Sequence, residues 1–164
     1  MRREFFPDVF KAVVDQVRLE YDRSNNLLPN FMFGSYSDLV EKCKISDNNQ
    51  VDKYPLVWLV WDNIDDTQKW IDPYIYSVSA HVFILTSTDQ DDNTEQKFDN
   101  VFEPILYPLF YCLVEYLKYA PNVEFQAGYE YPVTEHPFWS QGSGSFDFLS
   151  ALEINFQKLT IFKD

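Results

Sequence analysis

Residues 94–120 read TEQKFDNVFEPILYPLFYCLVEYLKYA. Phe98, Val101, Phe102, Ile105, Leu106, Leu109, Phe110, Leu113, Val114 and Leu117 recur at helical spacing. That spacing requires one buried face. Pro104 and Pro108 fall inside the pattern. Each removes a backbone donor, and a proline in a helix interior costs about 3 kcal/mol. The stretch therefore predicts a long helix, kinked at its prolines and seated against a sheet. Asp92 with Glu95, or Thr94 alone, is the expected N-cap.

Upstream, 74–87 reads YIYSVSAHVFILTS. Tyr76, Val78, Ala80, Val82 and Ile84 alternate with Ser77, Ser79, His81, Phe83 and Leu85, which predicts a long strand with two distinct faces. Residues 54–61, YPLVWLVW, form a short apolar run that fits a strand buried on both sides, with Pro55 near its start. Residues 5–22 carry Phe6, Val9, Phe10, Val13, Val14, Val17 and Tyr21 along one helical face. A short strand is expected at 31–33, a short helix at 38–44, and polar loops at 45–53 and 63–72. In 147–162, Leu152, Ile154 and Phe156 alternate with polar residues, and the apolar parity then shifts to Leu159 and Ile161. Such a shift is what a β-bulge or a strand change produces. Residues 122–146 hold Pro132, Pro137 and Gly142-Ser143-Gly144-Ser145, and read as a long irregular connection. The fold class is α+β: one domain over 1–164, an antiparallel-rich sheet packed by an N-terminal helix and the proline-bearing helix. The strands on either side of that helix should share the sheet.

Thirteen basic residues against 26 acidic ones give a net charge of −13. Phosphate binding depends on Lys and Arg, so the chain is a poor general nucleic-acid binder. No run of 18 apolar residues occurs, so no membrane span is expected. Acids interrupt the apolar run that a signal peptide would need near Arg2-Arg3. Cys43 and Cys112 are far apart and read as reduced, packed thiols in a cytoplasmic setting.

Candidate chemistry is sparse. His81 lies mid-strand, and a structural role outweighs a catalytic one unless a carboxylate or base lies beside it. His136 adjoins Glu135, but Cys43, Cys112 and His81 show no ligand spacing around it. Residues 89–93, DQDDN, have calcium-loop character, yet Thr94 and Asn100 stand where an EF-hand loop needs Gly and Glu. Asp62, Asp65 and Asp66 lack a supporting cation set. Gly142–Ser145 lacks the lysine and the strand–helix context of a phosphate loop. The expectation is no catalytic residue, no metal and no cofactor. The expected contact residues are Trp70, Phe138 and Trp139, aromatics in polar surroundings of the kind that anchor partners.

Three segments carry a resemblance: Lys53-Tyr54-Pro55-Leu56, the run Val101-Phe102-Glu103-Pro104-Ile105-Leu106-Tyr107-Pro108-Leu109, and Ala151-Leu152-Glu153-Ile154. With them the chain resembles a family of virion proteins of bacteriophages of the Bacteroidetes, including the crAss-like group. Its element order is similar to tail-terminator and head–tail joining proteins of tailed phages. The resemblance implies a ring-forming homo-oligomer in the virion neck or tail, assembled in the bacterial cytoplasm. It implies contacts with neighbouring neck, portal or tail proteins, and DNA passing without specific binding. The 122–146 connection departs from the pattern and leaves the layer of the neck open. The alternatives are a monomeric acidic adaptor or inhibitor that binds a host protein, and a small hydrolase.

Overall fold

A computed structural model describes residues 6–25, 29–43, 53–60, 75–125, 131–141 and 147–162. The loops expected at 45–53 (apart from Lys53) and 63–72, with Trp70, lie outside the described residues, as does the 142–145 link.

The fold is α+β. Helix α1 (Phe6–Asn25) precedes strand β1 (Asn30–Gly34), helix α2 (Tyr36–Lys42), β2 (Leu56–Val60) and β3 (Ile75–Ser87). A helical run follows as α3 (Thr94–Lys97), a π-helical stretch (Phe98–Leu106) and α4 (Tyr107–Tyr119). Strands β4 (Val123–Phe125), β5 (Val133–Gln141) and β6 (Phe148–Phe162) complete the chain. The sheet has six strands in the order β1-β2-β3-β6-β4, with β5 also on β6. Among the described strands only β1 and β2 pair in parallel. β3, before the helical run, and β6, the last strand, lie side by side as expected.

The proline-bearing helix forms, but its winding changes. Over Phe98–Leu106 the turns widen, and the Tyr107 amide donates to the Phe102 carbonyl five residues back. Pro104 falls inside this stretch, and Pro108 follows directly where the wider winding ends and α4 begins. The start of the run also differs from expectation. Asn93 is the N-cap, and its side chain and that of Gln96 each accept the other's backbone N–H.

One face of the sheet is covered by α1, the π stretch and α4. Phe10, Val14 and Val17 from α1 meet Phe102, Leu106, Leu109 and Leu113 over Val82, Ile84, Leu152, Ile154 and Phe156. The alternation read in β3 is therefore correct: Val78, Ala80, Val82 and Ile84 all enter this core. Every residue of β2 is buried, because α2 covers the opposite face at that end. There Met32, Leu39, Cys43, Tyr54, Trp58, Val60, Leu85 and Leu149 form a second cluster. α2 is held at its start by a Ser35–Asp38 capping box, and the Ser35 amide and hydroxyl hold the Asp38 carboxyl below its ordinary range. A Cβ at Gly34 would lie 2.7 Å from Asp38 Oδ2, so a larger residue there would push the capping carboxylate aside.

The parity shift in the last strand is a bulge. Ala80 pairs with Phe156 but Val78 with Leu159, so β6 carries one extra residue there. The 122–146 region is more ordered than expected, because β4 and β5 both lie within it. β5 has no clean alternation and contains Pro137, so its pairing was hidden in the sequence. Its register explains why. His136 pairs with Ala151 and Ser140 with Leu149, so four steps along β5 match two along β6. Pro137, Phe138 and Trp139 occupy the excess, where an absent N–H does least harm.

Candidate functional site

The second sheet face carries the densest chemistry. β3 and β5 flank β6, and their registers put Phe83 and Thr134 opposite Glu153 from either side. His81 and His136 then approach the Glu153 carboxylate diagonally from two strands. His81 Nε2 lies 2.5 Å from Oε1, and His136 Nε2 lies 2.5 Å from Oε2. Each carboxylate oxygen thus holds one imidazole. The three side chains are half-buried, at 18%, 34% and 26% exposure for His81, His136 and Glu153.

Burial pushes the Glu153 carboxyl upward, but the hydrogen bonds from His136 and His81 outweigh it, so the group sits below its ordinary value. The sequence placed His81 on the correct face of β3 but paired His136 with Glu135. The structure instead brings both histidines to Glu153, while Glu135 accepts from the Tyr107 hydroxyl at 3.1 Å on the helix side. Alternation gave a face for His81 and Glu153, but not for His136, since β5 has no clean period. Their register was not.

Aromatic rings extend from this cluster. Phe83 lies 5.0 Å from the His81 ring and 6.4 Å from His136. It stacks on Trp58 at 5.3 Å, and Tyr36 follows at 6.4 Å. Trp58 is anchored by its indole N–H to the Gly34 carbonyl at 3.0 Å. The array spans α2, β2, β3 and β5. Of the expected contact residues, Trp139 joins it, packed 6.0 Å from Phe83 and partly buried. Phe138 points elsewhere and is 44% exposed. The Nζ of Lys97 lies 5.0 Å above the Phe138 ring. Lys97 itself is buried and donates to Thr88 Oγ1 and the Asp89 carbonyl. Both aromatics belong to a strand and its bulge, not to a loop.

The hydroxyls near the histidines are committed to the backbone. Ser79 donates to the Gln157 carbonyl across the bulge, and Ser150 to the Pro137 carbonyl. The cluster ties three strands together. Among the described residues no group of three or more His, Cys, Asp or Glu is arranged to hold a metal ion. Nor is any helix there long and apolar enough to cross a membrane. Burial raises both thiols, with Glu20 and Glu115 adding to the effect at Cys112, so neither is poised as a nucleophile.

The Glu153 geometry sets a pH dependence. A carboxylate with a lowered folded-state value adds stability that is complete above its unfolded value near 4.5. That contribution disappears as pH falls through the lower folded value. We expect Glu153→Gln to cost roughly 1.5–3 kcal/mol at pH 7, the range for hydrogen bonds to a charged group. The deficit relative to the parent should shrink in acid, as read by urea unfolding at both pH values. An equal deficit at both would refute the linkage.

No protein-family model matches this chain, and no curated protein is significantly similar to it.

Proposed function

We propose that this chain is a virion structural subunit that acts by assembly, forming a ring at the head–tail junction of a tailed bacteriophage as terminator, stopper or connector. The observation that supports the reading is the sheet's order. Among the described strands, β1 and β5 stand at its borders, β1 beside β2 and β5 beside β6. A border strand is where a sheet can meet another chain. Two different borders on one subunit suit a heterologous contact, one patch meeting another on the next copy, and such contacts form a ring where the rotation closes.

Other features agree with it. Phe138 stands exposed on the edge strand β5, as an anchoring aromatic would. The α+β architecture is of the kind that the resemblance to neck proteins implies. A net charge of −13 would keep passing DNA from adhering.

Native mass spectrometry and negative-stain microscopy test this. The expected result is a closed particle of one discrete mass, several times that of the chain, and copies of the chain in purified virions. Phe138→Glu is expected to weaken that particle while leaving the circular dichroism spectrum unchanged. A chain that stays monomeric and is also missing from virions would sink the reading.

A further inference from the structure

β3 and β5 flank the same strand, β6, on unequal terms. β3 runs beside β6 from Ile75 to Ser87, and its Val78, Ala80, Val82 and Ile84 are buried in the core. β5 meets β6 in two short runs, Val133–His136 and Ser140–Gln141, with the bulge between them. None of residues 133–140 is fully buried. Val133 and Trp139 reach the two core clusters, each only in part. An element that buries so little apolar surface can open while the rest stays folded.

What holds β5 is mostly polar. The Ser150 hydroxyl donates to the Pro137 carbonyl and the Ser140 hydroxyl to the Asp147 carbonyl, both at 2.8 Å. The Asn155 amide donates to the Pro132 carbonyl at 3.0 Å, and at the surface Glu135 accepts from Tyr107. Water can replace each of these at a border strand with little net loss. The bond from His136 to Glu153 is of another kind. It is 2.5 Å long, partly buried, and made to an ionised acceptor, and such bonds are roughly twice as strong as neutral ones. The groups left behind by β5 also keep partners. Glu153 retains His81 on β3, and the Lys97 ammonium retains Thr88 Oγ1 and the Asp89 carbonyl when the Phe138 ring departs.

We propose that β5 is a strap that opens from the sheet as a unit while the rest of the sheet stays folded, and that the His136–Glu153 bond is its latch. Opening bares the side of β6 from Phe148 to Ile154, which then becomes a strand border. It also withdraws Phe138 from that border. One chain suffices for this, so nothing in it depends on the ring reading.

Native-state hydrogen exchange, read by mass spectrometry over a series of low urea concentrations, tests the strap. In the parent, peptides from 133–141 should exchange about a hundredfold or more faster than those from Ile75–Ser87, once corrected for intrinsic rates. They should barely respond to urea, because a small opening exposes little surface. His136→Ala should speed exchange over 133–141 by about tenfold or more, the equivalent of one hydrogen bond to a charged group. His81→Ala should leave that rate unchanged, since the His81–Glu153 bond persists while the strap is open, yet it should weaken the whole fold in urea. Three results would each overturn the proposal. The first is exchange of 133–141 in step with 75–87, with the same urea dependence. The second is no acceleration in His136→Ala. The third is a His81→Ala variant that accelerates 133–141 as much as His136→Ala does. The first comparison uses the parent alone, so it decides the matter even where a variant fails to fold.

Discussion

Phe102→Ala is expected to lower the unfolding free energy by about 3–5 kcal/mol, the range for truncating a buried aromatic. Phe102 is fully buried. Its ring stacks on Phe98 with centroids 4.4 Å apart and lies 5.8 Å from Tyr107. It belongs to the core between the π stretch and the sheet, so alanine leaves a cavity bounded by β-strands that cannot collapse into it. The loss of the ring pair adds to the cost. Phe138→Ala is the matched control. That ring is 44% exposed but lies over the buried Lys97 ammonium, so truncation should cost about 0.5–2 kcal/mol, clearly less than at Phe102. Urea unfolding of the two variants separates the residue that builds the fold from the one offered to a neighbour. Near-equal effects would mean that the aromatics of β5 are core and that the proposed edge contact has lost its anchor.

Much of this architecture was legible because it follows from a period. The helical face of 94–120 and the alternation in β3 each require a buried side, and the buried residues are those the spacing names. Even the bulge in β6 could be read, since an extra residue must invert a period of two. What stayed hidden depends on partners. A π winding preserves the apolar stripe while changing which carbonyl each amide meets, so Phe98–Leu106 looks α-helical from composition alone. β5 takes its identity from β6 and lacks a period of its own. Lys97 reads as a surface residue, yet it is buried because its ammonium finds Thr88, the Asp89 carbonyl and the Phe138 ring at the foot of the helix. The candidate site shows the same limit. Glu153 is separated from His81 by 72 residues and from His136 by 17, and only register brings the three together. Trp139 illustrates the converse, since the residue type that marks interfaces also fills the space over Phe83.

Tyr54→Phe should produce the second large loss, about 2–4 kcal/mol, although it deletes a single oxygen. Tyr54 and Asp147 are both buried, and the phenol donates to Asp147 Oδ2 at 2.7 Å. Lys53 Nζ lies 3.6 Å from the same oxygen, and the Asp147 amide donates to the Cys43 carbonyl at 3.1 Å. The chain thereby pins the start of β6 to the end of α2 and the approach to β2. Removing the hydroxyl strips a buried carboxylate of a close donor, and a buried charge cannot recover that bond from water. Asp147→Asn keeps the acceptor and the shape but gives up the charge, so its cost should be smaller. Alkaline titration gives an independent signature. Burial, then the neighbouring Cys43 and Asp147, push the Tyr54 phenol far above its ordinary value of 10.0. A raised value means that the folded state keeps a proton that the unfolded chain releases. The contribution is complete below about pH 10 and declines as pH rises toward the folded value. The parent should therefore lose stability above pH 10 more steeply than Tyr54→Phe, and its buried phenol should ionise only on unfolding. Parallel alkaline limbs, or a Tyr54→Phe variant as stable as the parent at pH 7, would show that Asp147 is held by other groups and that this junction does not depend on the phenol.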